Sequence, residues 1–338
     1  MPEPVVTVLM PAFNAQDHIE EAIKSILEQS FSDFELIVVN DGSTDTTEAK
    51  VRQFLDERIV LINNLNNKGL VAALNEGLSI ARGRFIARMD ADDISCLDRL
   101  RQQVELMSSN PQVVLCGTWG ETFGTGPSTR MRPETESRLI RAAMLLDNSF
   151  IHSSVMMRKA ILQDNQLEYR KVPAEDYDLW QRLADLGEVR NIPQILVRYR
   201  LHQGQITERS KDAISLSAMH VRYRQLENLL GRALEKEEAD SFESLLSSGG
   251  SGEAALGAVV LVMILLRANK ASGYCDQNAL KEVLFRRLRR LLKSATRPPL
   301  RTYADFCFSH IHALTKNWGV MTSLRILQMI MRGAGRLK

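Results

Sequence analysis

Five short apolar stretches recur along the first third of the chain: VVTVLM (5–10), FELIVVN (34–40), RIVLINN (58–64), RFIARM (84–89) and QVVLCG (112–117). Each is rich in Val, Ile and Leu and nearly continuous in apolar character, which is the pattern of parallel strands covered on both faces. Between them the apolar positions switch to helical spacing. Residues 17–29 place Ile19, Ala22, Ile23, Ile26 and Leu27 on one face, and residues 44–55, 70–81 and 97–107 read as further helices. Strand and helix alternate, so the first 120 residues predict an open, mostly parallel α/β sheet flanked by helices. Ligands bind such sheets at the carboxyl ends of the strands. Those ends run here into PAFN, DGSTD, NNKG and DADD, which should share one rim.

Beyond the fifth strand, GTWGETFGTGPSTRM (117–131) reads as loop, and a mixed segment to about residue 199 completes the domain. After His202 the patterns are helical, and SLLSSGGSGEAALG (244–257) marks a break. The expected organisation is a domain over 1–207 followed by a helical C-terminal region over 208–338. The longest apolar run, AALGAVVLVMILL (254–266), is shorter than the ~20 residues a membrane-spanning helix needs. It reads as a buried helix, with a membrane-dipping segment as the alternative.

Composition adjusts this picture in one place. The chain carries 43 Lys and Arg against 41 Asp and Glu, too even a balance to indicate nucleic acid. The evenness is not local, however: residues 267–338 hold fifteen Lys and Arg against three acids. Within that region LKEVLFRRLRRLLK (280–293) sets leucines on one side of a helix with arginines flanking them. A helix packed on its own domain is the plain reading, and peripheral contact with an anionic membrane is the functional one. The cysteines, Cys96, Cys116, Cys275 and Cys307, form no CxxC pair, and no secretory leader precedes Val5, so a reducing cytoplasm is expected.

The carboxylates of DADD, Asp90 to Asp93, crowd the end of an apolar strand. A helix N-cap would use one of them, whereas a hard divalent cation lowers the cost of gathering several. A calcium-binding loop is excluded, because counting from Asp90 the sixth position is Ser95 rather than Gly and the twelfth is Arg101 rather than Glu. An open site for magnesium or manganese against a phosphate ligand remains beside the capping role. In DGSTD, Gly42 and the hydroxyls suit a turn and a helix start, while Asp41 also has the position to accept hydrogen bonds from a nucleoside. Lys68 and Gly69 in NNKG are placed either to approach a ligand or to open the next helix. A dehydrogenase is disfavoured, since the first strand leads into PAFN and not into a GxGxxG turn.

Together, VTVLMPAFNAQDHIEEAIKSILEQSFSDFELIVVNDGSTDTT, NNKGLVAALNEGLSIARGRFIARMDADD and DRLRQQVELM resemble the family 2 glycosyltransferases, over about residues 5–207. The resemblance implies the GT-A nucleotide-sugar fold and inverting transfer from a nucleoside-diphosphate sugar, of the uridine type, to a glycan or lipid-linked acceptor. It places Pro11, Ala12, Phe13, Asn14 and Asp41 on the nucleotide, with Lys68, Gly69 and Arg88 grouped beside them. Asp90 meets the ribose, Asp92 meets a Mn2+ or Mg2+ ion on the diphosphate, and Asp93 is left to cap the following helix. In EDYDLWQRL the resemblance makes Asp176 the general base, with Glu175 orienting it or binding acceptor; a capping role competes for Asp176. Leu179, Trp180, Leu183 and Leu186 of this segment read as a core stripe. His202 is a candidate metal or diphosphate contact, and His152 lies where relatives shape the acceptor pocket, although a structural role is favoured for it. A metal-dependent nucleotidyltransferase and a non-catalytic nucleotide- or glycan-binding module are the rival readings.

Overall fold

The computed structural model describes residues 3–202, 211–247 and 251–294. The expected domain end at 207, the middle of the predicted break and Cys307 lie outside the described residues. The chain divides into two compact units, Met1–Ile140 with Asn148–Met219, and Arg141–Asp147 with His220–Lys338.

The first unit is built on a nine-stranded sheet. Strands β1 (Val6–Ala12), β2 (Phe34–Asn40), β3 (Ile59–Asn63) and β4 (Phe85–Arg88) are parallel neighbours in the order β3-β2-β1-β4. Every residue of β1, β2 and β4 is buried, which is why these strands lack polar alternation. Helices α1 (Ile19–Leu27), α2 (Thr47–Arg52) and α3 (Leu70–Ile80) follow β1, β2 and β3 in turn. Helix α1 buries Ile19, Ala22, Ile23 and Ile26 and turns Glu20 and Glu21 outward. Each isoleucine so buried contributes about 1.5–3 kcal/mol.

After β4 come β5 (Ile94–Ser95) and α4 (Arg99–Ser109), then β6 (Val113–Gly124) and the short β7 (Arg130–Met131), which pairs with β6. Further along are β8 (Met156–Arg158) and β9 (Glu188–Leu201). The order continues β4-β8-β6-β9-β5, with β8 antiparallel to both β4 and β6, and β6 parallel to β9. Strand direction therefore reverses beside β4.

Two expectations are corrected here. Residues 117–124, read as loop from their glycines, continue β6 and pair with β9 across register shifts. The glycines mark close approach: a Cβ on Gly117 would lie 2.3 Å from Asn191 Oδ1, and one on Gly120 would lie 2.8 Å from Ile151 Cδ1. The apolar run of the C-terminal region belongs to a longer helix than its thirteen residues suggested, described below with the second unit.

Helix α4 turns a polar face inward. Arg99 and Gln103 are both buried. Arg99 Nη2 donates to Arg88 O at 2.6 Å and to Val155 O at 3.2 Å, while Gln103 Nε2 donates to Ser154 O at 2.8 Å. These bonds fasten the end of β4 to the segment just before β8, and so fix the backbone from which DADD departs.

The unit also contains α5 (Ser137–Ala143), α6 (Lys159–Asp164) and α7 (Glu175–Ala184). Leu179, Trp180 and Leu183 of α7 are buried as expected, but Leu186 lies past the helix end and is 42% exposed. Helix α8 (Lys211–Leu230) contributes residues to both units.

In the second unit, α9 (Lys236–Leu246), α10 (Gly252–Ser272) and α11 (Gln277–Ser294) pack on one another. Helix α10 starts on a Ser251 side chain that accepts from Ala254 N and ends at Gly273 in the left-handed conformation, φ 65°. Its 21 residues and mean hydropathy of 1.7 are long and apolar enough to cross a membrane, yet 56% of its apolar window is buried. The buried-helix expectation fits that burial. Helix α11 buries Leu280, Val283, Leu284, Leu288, Leu291 and Leu292 and leaves Lys281, Arg289, Arg290 and Lys293 exposed.

Candidate active site

The carboxyl ends of β1 to β4 deliver the four predicted loops to one rim, and hydrogen bonds lace them together. Pro11 and Ala12 close β1, Phe13 is 49% exposed, and Asn14 has a positive φ of 49°. The amide of Asn14 donates to Ser43 Oγ at 2.9 Å, and Asn14 Oδ1 accepts from Thr44 N at 2.9 Å. Gln16 N donates to Asp45 Oδ2 and Ala15 N to Thr47 Oγ1. The first and second loops are thus one tied structure.

Asp41 ties the third loop in. Its Oδ2 accepts from Gly69 N at 2.8 Å, and its Oδ1 accepts from Lys68 N at 3.0 Å and Asn64 Nδ2 at 3.1 Å. Lys68 Nζ turns back to Asn64 Oδ1 at 2.7 Å. Gly69 stands at the N-cap of α3 with φ 92°, and nothing lies within 4 Å of a Cβ built there, so backbone conformation and not crowding calls for glycine.

The acids of DADD form the one cluster among the described residues suited to a metal ion: carboxylate oxygens of Asp90, Asp92 and Asp93 lie within 4.8 Å of one another. Their environments differ. Asp90 Oδ1 is 2.5 Å from Arg88 Nη1, and its Oδ2 accepts from Ser153 Oγ at 2.5 Å. Burial works against the charge of Asp90, but the Arg88 guanidinium and the hydrogen bond from Ser153 prevail and hold it below the usual carboxylate range. Asp92 Oδ2 is 2.9 Å from His202 Nε2; burial and then Asp90 push this carboxyl up.

Asp93 does not cap the following helix, contrary to expectation. It is buried, lies in hydrogen-bonding contact with Ser153 Oγ, accepts from Arg200 N at 2.8 Å, and is separated from α4 by β5; Asp98 occupies the N-cap position there. Burial, then Asp90 and Asp92, raise it strongly. Arg88, grouped in the sequence with the nucleotide contacts, lies beneath the rim with its side chain 1% exposed.

Glu175 and Asp176 open α7, behind an Ala174 N-cap that offers no side-chain bond. Asp176 Oδ1 accepts from Tyr177 N at 2.6 Å and its Oδ2 from Asn148 Nδ2 at 2.8 Å, so the carboxylate both braces the helix start and is held in one orientation. Burial is the first cause raising Asp176. Glu175 is pushed up to about 8, by burial and then by Asp176. His152 Nδ1 lies 4.0 Å from Glu175 Oε1, and its Nε2 is 3.4 Å from Tyr169 Oη. Burial lowers His152 well below its ordinary value, which keeps it neutral. The two acidic groups feel each other, since Asp90 is among the charges that raise Glu175.

Several members escaped the sequence reading. Ser153 bridges Asp90 and Asp93, Arg200 Nε donates to Asp92 O at 2.7 Å, and His18 lies beside His202 with ring centroids 4.9 Å apart and planes tilted by 58°. Only Ser153 carried a signal, through its place next to His152. The others reach the rim by pairings between distant segments.

An open rim carrying an acidic metal-type cluster beside a second, raised pair of carboxylates, on this sheet order, defines a GT-A glycosyltransferase. The solved structures agree in fold. The chain is similar to S. aureus TarS 1–349 in complex with UDP-GlcNAc, with TM-score 0.53 and 18% identity over 85% of this chain and 92% of that one. It is also similar to the mannosyltransferase PcManGT from Pyrobaculum calidifontis, in complex with GDP-Man and Mn2+, with TM-score 0.54 and 17% identity over 97% of this chain and 86% of that one. Residues 7–165 match the profile of glycosyl transferase family 2. An uncharacterized glycosyltransferase from Haemophilus influenzae is 35% identical over 218 residues, 60% of this chain and 67% of the relative. The UDP-Glc:alpha-D-GlcNAc-diphosphoundecaprenol beta-1,3-glucosyltransferase WfgD of Escherichia coli is 32% identical over 210 residues, 61% of this chain and 81% of the relative. The chain belongs to glycosyl transferase family 2 and is a glycosyltransferase.

Proposed function

We propose that the enzyme transfers a sugar, with inversion, from a nucleoside-diphosphate sugar of the uridine type to a saccharide carried on a lipid diphosphate. The observation that carries this reading is the meeting of two acidic groups with different environments, DADD on the rim and Glu175 with Asp176 at the start of α7. The acceptor class is drawn from WfgD, whose name specifies a lipid diphosphate substrate.

The donor set fits a hard divalent ion. Carboxylate oxygens within 4.8 Å of one another, on acids of which Asp92 and Asp93 are raised by burial and then by their acidic neighbours, and an imidazole 2.9 Å from Asp92, are what Mn2+ or Mg2+ accepts. Asp92 would hold the ion, with His202 beside it. When bound, such an ion stabilises negative charge on the departing diphosphate. Asp90 is left to the ribose, and the tied loops bearing Asn14 and Asp41 form the nucleoside seat.

Asp176 takes the proton of the attacking acceptor hydroxyl. Its two oxygens are oriented by Tyr177 N and Asn148, and burial raises its affinity for a proton above that of an exposed carboxylate, as a general base requires. Glu175, protonated at neutral pH, donates a hydrogen bond to the acceptor. Attack from the face opposite the leaving diphosphate is a single displacement and inverts the anomeric centre.

The lipid-linked acceptor implies work at the cytoplasmic face of a membrane, and the exposed Lys281, Arg289, Arg290 and Lys293 of α11 suit an anionic surface. Flotation of the full chain with anionic vesicles tests that part; equal recovery after charge reversal at these positions would remove it. The reaction itself is tested with a nucleotide-sugar panel and a lipid-diphosphate saccharide in Mn2+. Release of nucleoside diphosphate together with an extended saccharide is expected. Pyrophosphate release would identify a nucleotidyltransferase, and nucleotide binding without turnover a binding module.

A further inference from the structure

Tyr169 lies in the stretch between α6 and α7 and is 1% exposed. Asn75 of α3 clasps it by the backbone: Tyr169 N donates to Asn75 Oδ1 at 3.0 Å, and Asn75 Nδ2 donates to Tyr169 O at 2.9 Å. Its ring is held by two others, with centroids 6.1 Å from Trp180 and 5.9 Å from His152, and His152 in turn meets Trp180 at 5.7 Å. Phenylalanine would pack as well in such a cluster. The hydroxyl is what needs a reason, because burying one without a partner is costly.

Among the described residues that hydroxyl has one hydrogen-bonding partner, His152 Nε2 at 3.4 Å. A neutral imidazole carries a single proton, and the nitrogen that holds it is set by what the other nitrogen must do. With the proton on Nε2, Tyr169 Oη would have to accept, and the phenolic proton would be left inside the fold with no acceptor. That is the dearer arrangement, since a buried donor left unmade forfeits its full solvation. Burial also pushes the Tyr169 phenol up, so it keeps its proton. The phenol therefore donates to Nε2, and the imidazole proton sits on Nδ1. Nδ1 is the nitrogen that faces Glu175, 4.0 Å from Oε1, in a part of the site that reaches solvent: the two side chains are 15% and 12% exposed. Active-site hydrogen bonds of a free enzyme are often long and tighten in the substrate complex.

We propose that Tyr169 is a positioning residue: by donating to His152 Nε2 it holds the imidazole proton on Nδ1, facing Glu175 Oε1, so that Glu175 turns its other oxygen to the acceptor. Tyr169 touches neither substrate. With Oε1 committed to accepting from His152, the proton of Glu175 resides on Oε2, the oxygen left to donate to an acceptor hydroxyl. The link from Tyr169 to His152 stands on its own geometry; only its service to the acceptor rests on the function proposed above.

The experiment reads the protonated nitrogen directly. In full-length protein with isotope-labelled histidine, nitrogen NMR near neutral pH reports the tautomer of His152, whose signals are those lost in His152→Asn. Wild type should carry the proton on Nδ1. Tyr169→Phe, which deletes only the hydroxyl, should give the opposite tautomer or a mixture. In turnover with a lipid-diphosphate saccharide, Tyr169→Phe should raise the acceptor KM about tenfold and leave the donor KM unchanged, about what one hydrogen bond is worth. His152→Asn supplies an N–H donor near the place of Nδ1 with no tautomer to set, so adding Tyr169→Phe to it should cost less than about twofold more. A wild-type proton on Nε2, or a tautomer unchanged in Tyr169→Phe, overturns the proposal. So does a rise of both KM values together, or a second tenfold loss in the double variant. Failure of Tyr169→Phe to fold would make the hydroxyl a packing element and overturn it as well. If wild type does not extend this acceptor at all, the function proposed above fails, and the two tautomers alone decide whether Tyr169 positions His152.

Discussion

Replacing Glu175 by glutamine should make the protein more stable and less active. The side chain is 12% exposed, and burial followed by the charge of Asp176 raises its carboxyl from 4.5 to about 8. A carboxyl that binds its proton more tightly folded than unfolded makes its full contribution to stability below the unfolded value, where both states are protonated. That advantage is lost as pH climbs from the ordinary value through about 8. At about 1.4 kcal/mol per unit, the swing is on the order of 5 kcal/mol, shared with the coupled Asp176. Glu175→Gln keeps the shape and never ionises. Urea unfolding followed by tryptophan fluorescence should find the variant about as stable as wild type near pH 4.5 and more stable by on the order of 3 kcal/mol near pH 9. Transfer activity should fall in the same variant, because stability has been gained at a site whose strain serves chemistry. Parallel stability curves for the two proteins would refute the reasoning, since the penalty would then not come from ionising Glu175.

Asp176→Asn should lower turnover by about 10²–10⁴-fold, the range for loss of a general base, with nucleotide-sugar binding by calorimetry unchanged; near-normal turnover removes Asp176 from that role. Asp92→Ala should weaken Mn2+ binding and abolish transfer, and chelation of wild type should be reversed by Mn2+ or Mg2+; activity indifferent to chelator argues against the ion. Gly42→Ala should destabilise by on the order of 1–3 kcal/mol, because Gly42 has φ 70° and a Cβ would sit 2.4 Å from Asn66 C. A melting curve unchanged by that substitution would show that the second and third loops yield more easily than their hydrogen bonds imply.

Much of this architecture could be read from the chain because β1, β2 and β4 are buried throughout and therefore carry unbroken apolar runs. Those strands and the loops they deliver are legible for that reason, half-buried β3 keeps an Ile, Val and Leu run at the sheet edge, and DADD stands out because acids crowd an apolar strand end. Residues 117–124 misled because glycine signals a turn and a close approach alike, and only the neighbours Asn191 and Ile151 distinguish the two. The insertion of β8 between β4 and β6 left no trace either, since Met156–Arg158 is too short to show a period. Asp93 reads as a cap for a helix it does not cap, because the pairing of β5 with β9 beside it joins segments more than ninety residues apart. His18 and Arg200 meet the rim through the same kind of distant pairing.

The reversal of strand direction beside β4 also bears on how such an enzyme can be altered. Everything proposed to seat the nucleoside comes from β1 to β4 and their loops, an unbroken stretch ending at Asp93, while His202, placed beside the ion, returns to Asp92 from the end of β9. The segment bearing His152 and the helix bearing Glu175 and Asp176 lie beyond Asp93 in the chain. On the proposed roles, nucleoside and acceptor are recognised by consecutive stretches of the gene, so that exchange at a crossover between Asp93 and His152 with a related enzyme would pair one parent's nucleoside preference with the other's acceptor, provided His202 is kept opposite Asp92. Arg99 and Gln103, which bond across that seam to Val155 O and Ser154 O, are the contacts a working hybrid would have to preserve.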